Sequence, residues 1–502
     1  MKIMKIVLFL LLAGTTSLFS QEQPKREFRG AWIHTVGNEY FKTVPADSIK
    51  ALFIRTLDEF ERTGINAVIF QVRPQADAFY ISNLEPWSRF LTGNQGIAPN
   101  PVWDPLQFMI EECHKRGMEL HAWLNPYRVT SNDQEQLHPD HLYFKKPELF
   151  KRYGKQLYFD PGEPEAIEHT VKVVADIVSR YDVDAIHFDD YFYPYPVQFE
   201  EFHDDASFVK YAASQGFEYW QKADWRRNNV NTLIHKINDT IKHIKPWVRF
   251  GISPFGIHRN LKDTPDGSGS KTNGLSTYEA LYADIPLWLQ KGWIDYNAPQ
   301  LYWEIGHAVA DYKTLIEWWN EKAYPGQLYI GQNISSLNKK STTNPERIQL
   351  GEKMEMMRNS KNVNGNIWWP GWSIPKNPFG FADSLANKYQ SHPAIIPAYK
   401  ALDSIAPAPV EKLRKKGNSL VWEHNANGDK MQEAQFFAIY RFPAGITPDF
   451  NSNTYLLRLV NNNSYPLDTN KKGKKKSWTY YVTAIDRCRN ESIPCKGINV
   501  KE

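Results

Sequence analysis

The chain has 502 residues, 42 % of them hydrophobic and 14 % aromatic, with a formal net charge of only +4. Such a composition excludes wholesale disorder and supplies enough apolar side chains for one large domain and a smaller one beside it. The near balance of charge gives no support to a nucleic-acid partner.

The chain opens with Lys2 and Lys5, an apolar run from Ile6 to about Ala13, and small polar residues up to Ser20. This is the layout of a secretory signal peptide over residues 1–20, and the run is too short to cross a bilayer. The mature protein is therefore expected to be secreted or periplasmic, with no membrane span. Three cysteines cannot staple a chain of this size, so core packing must hold it together. Cys113 has helical, buried surroundings, and Cys488 and Cys495 are close enough in sequence to form a hairpin disulfide or to stay free.

From residue 28 to about 370, eight short apolar runs alternate with amphipathic stretches: FRGAWIHT, NAVIFQVRP, MELHAWLNPYR, VDAIHFDDYFYP, VRFGISPFG, IDYNAPQLYW, LYIGQNIS and GNIWWPGW. Each is rich in β-branched or aromatic residues and ends in turn formers, the signature of a strand. The intervals read as helices. Ile49, Leu52, Phe53, Leu57 and Phe60 share one helical face before a stop at Gly64. Asp104, Pro105 and Gly117 bracket the next helix as N-cap, first turn and C-terminal stop. Val230, Leu233, Ile234, Ile237, Ile241 and Ile244 form a further apolar stripe, and Asn344 begins another helix.

Strands alternating with helices pair in parallel, because each helix returns the chain to the starting edge. Eight units predict an α/β fold, a closed (β/α)8 TIM barrel over residues 26–400. The competing doubly wound sheet lacks its Gly-rich phosphate loop after the first strand. Past the Pro-containing SIAPAPVEKL segment the helices cease, and NSLVWEHN, AQFFAIYRFP, TYLLRLV and SWTYYVTAIDRCRNES predict a small all-β sandwich over residues 406–502. The order of these strands resembles a fibronectin type III domain. NKKGKKKS within it reads as a solvated hairpin tip, with contact to an anionic polymer as the alternative.

Barrel enzymes work at the C-terminal ends of their strands, and side-chain alternation decides what points inward there. In the fourth strand Ile186 and Phe188 face the helices, which leaves His187 and Asp189 inside. The same parity turns Gln71 and Arg73, then His121, Trp123 and Asn125, then Gln300 and Tyr302 inward. A barrel interior is normally aliphatic, so a polar layer calls for hydrogen-bonded partners or a polar ligand. Trp32, Trp303, Trp368 and Trp369 at strand ends offer faces on which a sugar ring stacks. No HExxH, paired-cysteine or nucleophile-elbow pattern occurs, so neither a metal nor another cofactor is expected, and Ser253 is a weak nucleophile candidate.

The motifs REFRGAWIHTV, GINAVIFQVRPQADAFY, PWSRFLTGNQG, WDPLQFMIEECHKRGMELHAWLNPYRV, YFDPGEPEA, IHFDDYFYP, KADWRRNNV, GISPFGIHRN and NAPQLYW, in that order over residues 26 to 370, resemble the glycosyl hydrolase-like 10 family. The resemblance implies the same barrel and glycoside hydrolysis in the bacterial envelope, including cleavage of peptidoglycan strands that lack stem peptides. The expected partner is thus a glycan substrate.

Glycoside hydrolysis usually takes two carboxyl groups. If the sugar carries a 2-acetamido group, its carbonyl oxygen can attack, and the protein supplies one group to orient it and one acid. Asp189 is expected to orient the acetamide and Asp190 to be the acid, the neighbouring charge raising its pKa. Arg73 and Arg128 are candidates for a substrate carboxylate such as a lactyl group. Asn125, Tyr127, Tyr191, Tyr193, Gln300 and Tyr302 are candidate hydrogen-bonding groups, with His34 and Gln71 at strand ends and Trp32 and Trp369 as stacking faces. Two alternatives stay open: a retaining enzyme with Asp189 as nucleophile and Glu304 as acid, and a glycan-binding protein without catalysis. Adjacent strand residues point to opposite faces, so Asp189 and Asp190 can serve one substrate only if the chain turns sharply between them.

Overall fold

The computed structural model describes residues 23–322, 324–340, 348–426, 428–467 and 476–502. The expected signal peptide, the helix start at Asn344 and most of the lysine-rich hairpin tip lie outside those residues. Eight parallel strands close into a barrel: β1 (Phe28–Ile33), β2 (Ala67–Arg73), β3 (Glu119–Leu124), β4 (Ala185–Phe188), β5 (Arg249–Ile252), β6 (Tyr296–Asn297), β7 (Gln327–Asn333) and β8 (Val363–Trp369). Each strand pairs with the next, and β1 with β8, so no edge is left open.

The helices form where the sequence spacing places them. In α1 (Ala46–Arg62) Ile49, Phe53, Leu57 and Phe60 are buried, and Gly64 ends the turn with φ +75°. In α2 (Pro105–Lys115) the Asp104 carboxylate accepts from the Leu106 and Gln107 N–H groups at 3.0 and 3.1 Å. Two cores result from the alternation. Val68, Phe70, Leu120, Ala122, Ile186 and Phe188 pack outward against the helices. Phe28, Trp32, Ile69, Trp123, Tyr296, Tyr329 and Ile367 fill the barrel interior.

The alternation breaks at one place that matters. The β2–β3 pairing shifts register between Gln71, opposite Trp123, and Arg73, opposite Leu124. Laterally paired residues of parallel strands face the same way, so this bulge turns Arg73 outward with Leu124.

Beyond the barrel, two antiparallel sheets form a small sandwich. One has three strands, β9 (Glu411–Lys416), β10 (Ser419–Glu423) and β13 (Ser464–Pro466). The other has four, β11 (Ala434–Pro443), β12 (Leu456–Val460), β14 (Ser477–Asp486) and β15 (Ile498–Lys501). Leu420, Trp422, Phe437, Ile439, Tyr480 and Val482 pack between them, while Phe436, Ala438 and Tyr440 on the other face meet Ile395. Cys113 is buried as expected, but the hairpin disulfide is not formed: Cys488 and Cys495 are free and buried. The Cys495 sulfur accepts the Val482 N–H at 3.2 Å inside the sandwich, whereas the Cys488 backbone carbonyl takes the Tyr399 N–H. No described helix is long and apolar enough to cross a membrane.

Candidate active site

The C-terminal ends of the strands surround a cleft of about 290 Å³ lined by Trp32, Val36, Gln71, Trp123, Arg128, Asp189, Asp190, Tyr191, Tyr195, Ser253, Gln300, Tyr302 and Trp369. That volume lies near the lower limit for small-ligand pockets and suits one buried ring. Another cavity of similar volume, about 280 Å³, lies around the first residues of β7 and β8, but no carboxylate lines it.

Asp189 follows the last residue of β4, and its inward parity carries its carboxylate to the cleft floor. It accepts from Trp123 Nε1 at 3.1 Å and from Asn125 Nδ2 at 3.1 Å, with the Tyr191 N–H at 3.4 Å. The orientation of Asn125 is determined by its other end. Its Oδ1 takes the Arg128 and Tyr127 N–H groups at 2.8 and 3.3 Å, so its Nδ2 must face Asp189. Burial pushes the Asp189 carboxyl up, while the charge of Arg128 and these donors oppose the rise.

Asp190 is brought back over the same cleft because the chain bends at that residue, and Phe192 N–H donates to the Asp190 carbonyl at 3.1 Å. The Tyr195 hydroxyl donates to its Oδ2, and Gln300, whose Nε2 donates to the Ser253 carbonyl at 2.8 Å, stands beside it. Burial, and then the charge of Asp189, push the Asp190 carboxyl up to about 7. Two consecutive carboxylates thus differ in kind: one held by three donors with an acceptor site to spare, the other able to keep its proton near neutral pH.

The walls are aromatic and polar in alternation. Trp369 meets Trp123 edge-on at 6.2 Å and His34 at 4.8 Å between ring centroids, so half-buried His34 supports the wall from behind. The Arg128 guanidinium lies 4.8 Å over the Tyr191 ring. Gln71 Oε1 accepts the Thr35 and Val36 N–H groups, both at 2.9 Å, which leaves its buried Nε2 without a partner among the described residues. An unpaired buried donor at a cleft wall is a ready site for a ligand oxygen.

Of the residues expected here, Arg73, Tyr127, Tyr193, Trp303 and Trp368 are placed elsewhere. Neither tryptophan lines the cleft, since Trp368 is fully buried in the core between strands and helices and Trp303 packs against that core. The β2 bulge sends Arg73 to Glu85, at 2.6 and 2.8 Å, and to the Asn125 carbonyl at 2.6 Å, where it braces the β3 loop. Tyr127 is fully buried behind that loop. Tyr193 packs on Phe202, Tyr282 and Arg226, because the segment after Asp190 is no longer a strand and does not alternate. Asn125 acts on Asp189 rather than lining the cleft. Glu304 pairs with Lys339 and is not among the cleft residues. Tyr195 and Val36 were not legible as site residues, and Ser253, weighed only as a weak nucleophile, lines the cleft. Tyr195 lies four residues beyond Tyr191 across Pro194, and only the bend at Asp190 joins it to the carboxyl.

A model of the family described as Glycosyl hydrolase-like 10 matches residues 27–348. The chain is 41 % identical over 517 residues to glycosyl hydrolase YngK of Bacillus subtilis (strain 168), with 98 % of each chain covered. It is 38 % identical over 368 residues to glycosyl hydrolase DigH of Escherichia coli (strain K12), covering 69 % of this chain and 82 % of the relative. Among solved structures, the catalytic domain of β-amylase from Paenibacillus polymyxa matches with a TM-score of 0.49 at 11 % identity, over 74 % of this chain and 99 % of that one.

Proposed function

The chain belongs to the glycosyl hydrolase-like 10 family and is a glycoside hydrolase, and from that premise we propose that it is exported and cleaves an envelope glycan containing N-acetylhexosamine units. Peptidoglycan strands without stem peptides lead the substrate list. The observation that carries the reading is the paired but unequal carboxylates Asp189 and Asp190 in one aromatic cleft.

In the proposed reaction Asp190 gives its proton to the glycosidic oxygen as the bond to the anomeric carbon breaks. The acetamide carbonyl oxygen attacks that carbon, and Asp189, held by Trp123 and Asn125, accepts the acetamide N–H. Water then opens the cyclic intermediate, losing a proton to the Asp190 carboxylate, which restores the acid. The two displacements retain the anomeric configuration and add one water to the products.

Several features support the substrate class. Trp32, Trp123 and Trp369 offer apolar faces for the C–H side of a ring. The free Gln71 Nε2 is a donor for a sugar oxygen. Arg128 remains a candidate for a lactyl carboxylate, whereas Arg73 is committed to Glu85. The test is incubation with peptide-free peptidoglycan strands and a panel of N-acetylhexosamine polymers, with product masses recorded. Hydrolysis adds one water per cut. Anhydro ends would contradict the mechanism, and binding without any cleavage would leave a lectin-like protein instead.

A further inference from the structure

Beneath the cleft floor a column of polar side chains runs through the barrel interior, and the reaction above makes no use of it. At its base Glu119, the first residue of β3, is fully buried and ion-paired with Arg249 of β5 at 2.5 Å and with Arg489, which the sandwich sends in from the turn after β14. Glu119 Oε2 lies 2.7 Å from His121 Nε2. His121 Nδ1 lies 2.8 Å from the Tyr296 hydroxyl, which lies 2.9 Å from His187 Nδ1. His187 Nε2 then faces Trp32 Nε1 at 3.2 Å and Ser253 Oγ at 2.9 Å, and Trp32 and Ser253 both line the cleft.

The chemistry of the two ends determines the direction of every bond. A carboxylate only accepts, so His121 Nε2 carries a proton; an indole N–H only donates, so His187 Nε2 carries none. Between them, Tyr296 O–H donates to His121 Nδ1 and accepts from His187 Nδ1–H. Reversing any bond sets two donors or two lone pairs against each other. Both histidines are then neutral, in opposite tautomers. Burial holds the His187 imidazole well below its ordinary pKa, with the His121 ring adding to the effect, as that arrangement requires. Against the burial penalty, the charges of Arg249 and Arg489 keep the Glu119 carboxyl low and therefore anionic.

The backbone is cut to fit the column. A Cβ on Gly251 of β5 would lie 1.9 Å from the Tyr296 ring, and one on Gly331 of β7 would lie 2.8 Å from Trp32. Two strands therefore give up a side chain where the column needs room.

We propose that Glu119, His121, Tyr296 and His187 form a positioning relay: an anion clamped by both domains at the base of the barrel fixes the tautomer of His187, and His187 thereby holds the Trp32 indole as a rigid wall of the cleft. The role given to Trp32 rests on the glycan reading above; the proton arrangement does not. None of the four residues touches substrate, so the relay acts on the affinity for glycan more than on the chemical step.

Neutron diffraction from the deuterated full-length protein reads the ring protons directly. Deuterium is expected on His187 Nδ1 and His121 Nε2, and none on His187 Nε2. Deuterium on His187 Nε2 overturns the relay whatever the enzyme cleaves. Tyr296→Phe removes one hydroxyl from the middle and keeps the ring. It is expected to raise KM for the glycan about tenfold, the loss of one or two buried hydrogen bonds, with kcat changed less than about threefold. Unchanged KM in a folded variant also overturns the relay, and if the variant does not fold the wild-type neutron map decides alone. Failure of the glycan panel with the expected proton pattern would reject the substrate reading and leave the relay standing.

Discussion

Asp189 and Asp190 are neighbours in sequence and both buried, yet three donors surround the first and one hydroxyl and one amide the second. A carboxyl raised to about 7 acts as an acid only below that value. The rate on glycan should therefore decline as pH rises through about 7, measured as kcat/KM across pH 5 to 9. Tyr195 opposes the shift by donating to the Asp190 carboxylate. Tyr195→Phe should move the declining limb upward by about one unit, and a downward move would refute its role. The same carboxyl affects stability. Its folded pKa lies above the unfolded one, so the native state keeps a proton that the unfolded chain releases, and stability is lost as pH rises from about 4 through 7. Asp190→Asn, neutral at every pH, should be more stable than wild type at pH 8 by on the order of 2 kcal/mol. Thermal unfolding at pH 8 and pH 4.5 should show that gap closing at the lower value.

At the scale of the strand, alternation predicted the inward set well wherever an apolar partner face anchored it. Ile186 and Phe188 pack on the helices, so His187 and Asp189 had to face the interior; Val68 and Phe70 do the same for Gln71. The prediction failed at Arg73, two residues after Gln71, because a register shift is an event of the backbone and leaves no mark in the side-chain pattern. Tyr127 and Tyr193 lie past the strand ends, where alternation has no meaning, so the pattern could not place them. Tyr195 was invisible for the related reason that a bend, rather than a periodic element, brings it to Asp190. The misplaced Arg73 makes its own prediction. It is fully buried, and its loss would strand the Glu85 carboxylate, which also accepts from His169 at 2.9 Å. Arg73→Met should cost about 3–5 kcal/mol in urea unfolding while leaving KM for glycan unchanged at permissive temperature. A large rise in KM with little loss of stability would restore Arg73 to the site.

Across the whole molecule, the sandwich is joined to the end of the barrel opposite the cleft by buried charge as well as apolar contact. Arg489 reaches Glu119 and, at 3.0 Å, Asp184; Asp184 also receives His114 at 2.8 Å and Gln435 at 2.6 Å. Around them Ile395 and Phe436 are buried and Leu459 lies against Gly117, where a Cβ would come within 2.7 Å of its carbonyl. Removing Arg489 leaves two buried carboxylates short of a partner. Arg489→Met should therefore lower stability by about 3–5 kcal/mol, and a midpoint equal to wild type would show that the junction is dispensable. That dependence was not legible in the sequence, where Arg489 is one arginine in a turn some 370 residues from Glu119.

The division of labour between the two aspartates is the centre of the account. It is tested most directly by comparing kcat/KM on the glycan with kcat/KM on a 2,4-dinitrophenyl N-acetylhexosaminide, whose leaving group departs without a proton. Asp190→Asn should lose about 10²–10⁴-fold on the glycan and less than about tenfold on the aryl glycoside, while Asp189→Asn should lose heavily on both. Equal losses on the two substrates for Asp190→Asn, or full glycan cleavage by that variant, would contradict it.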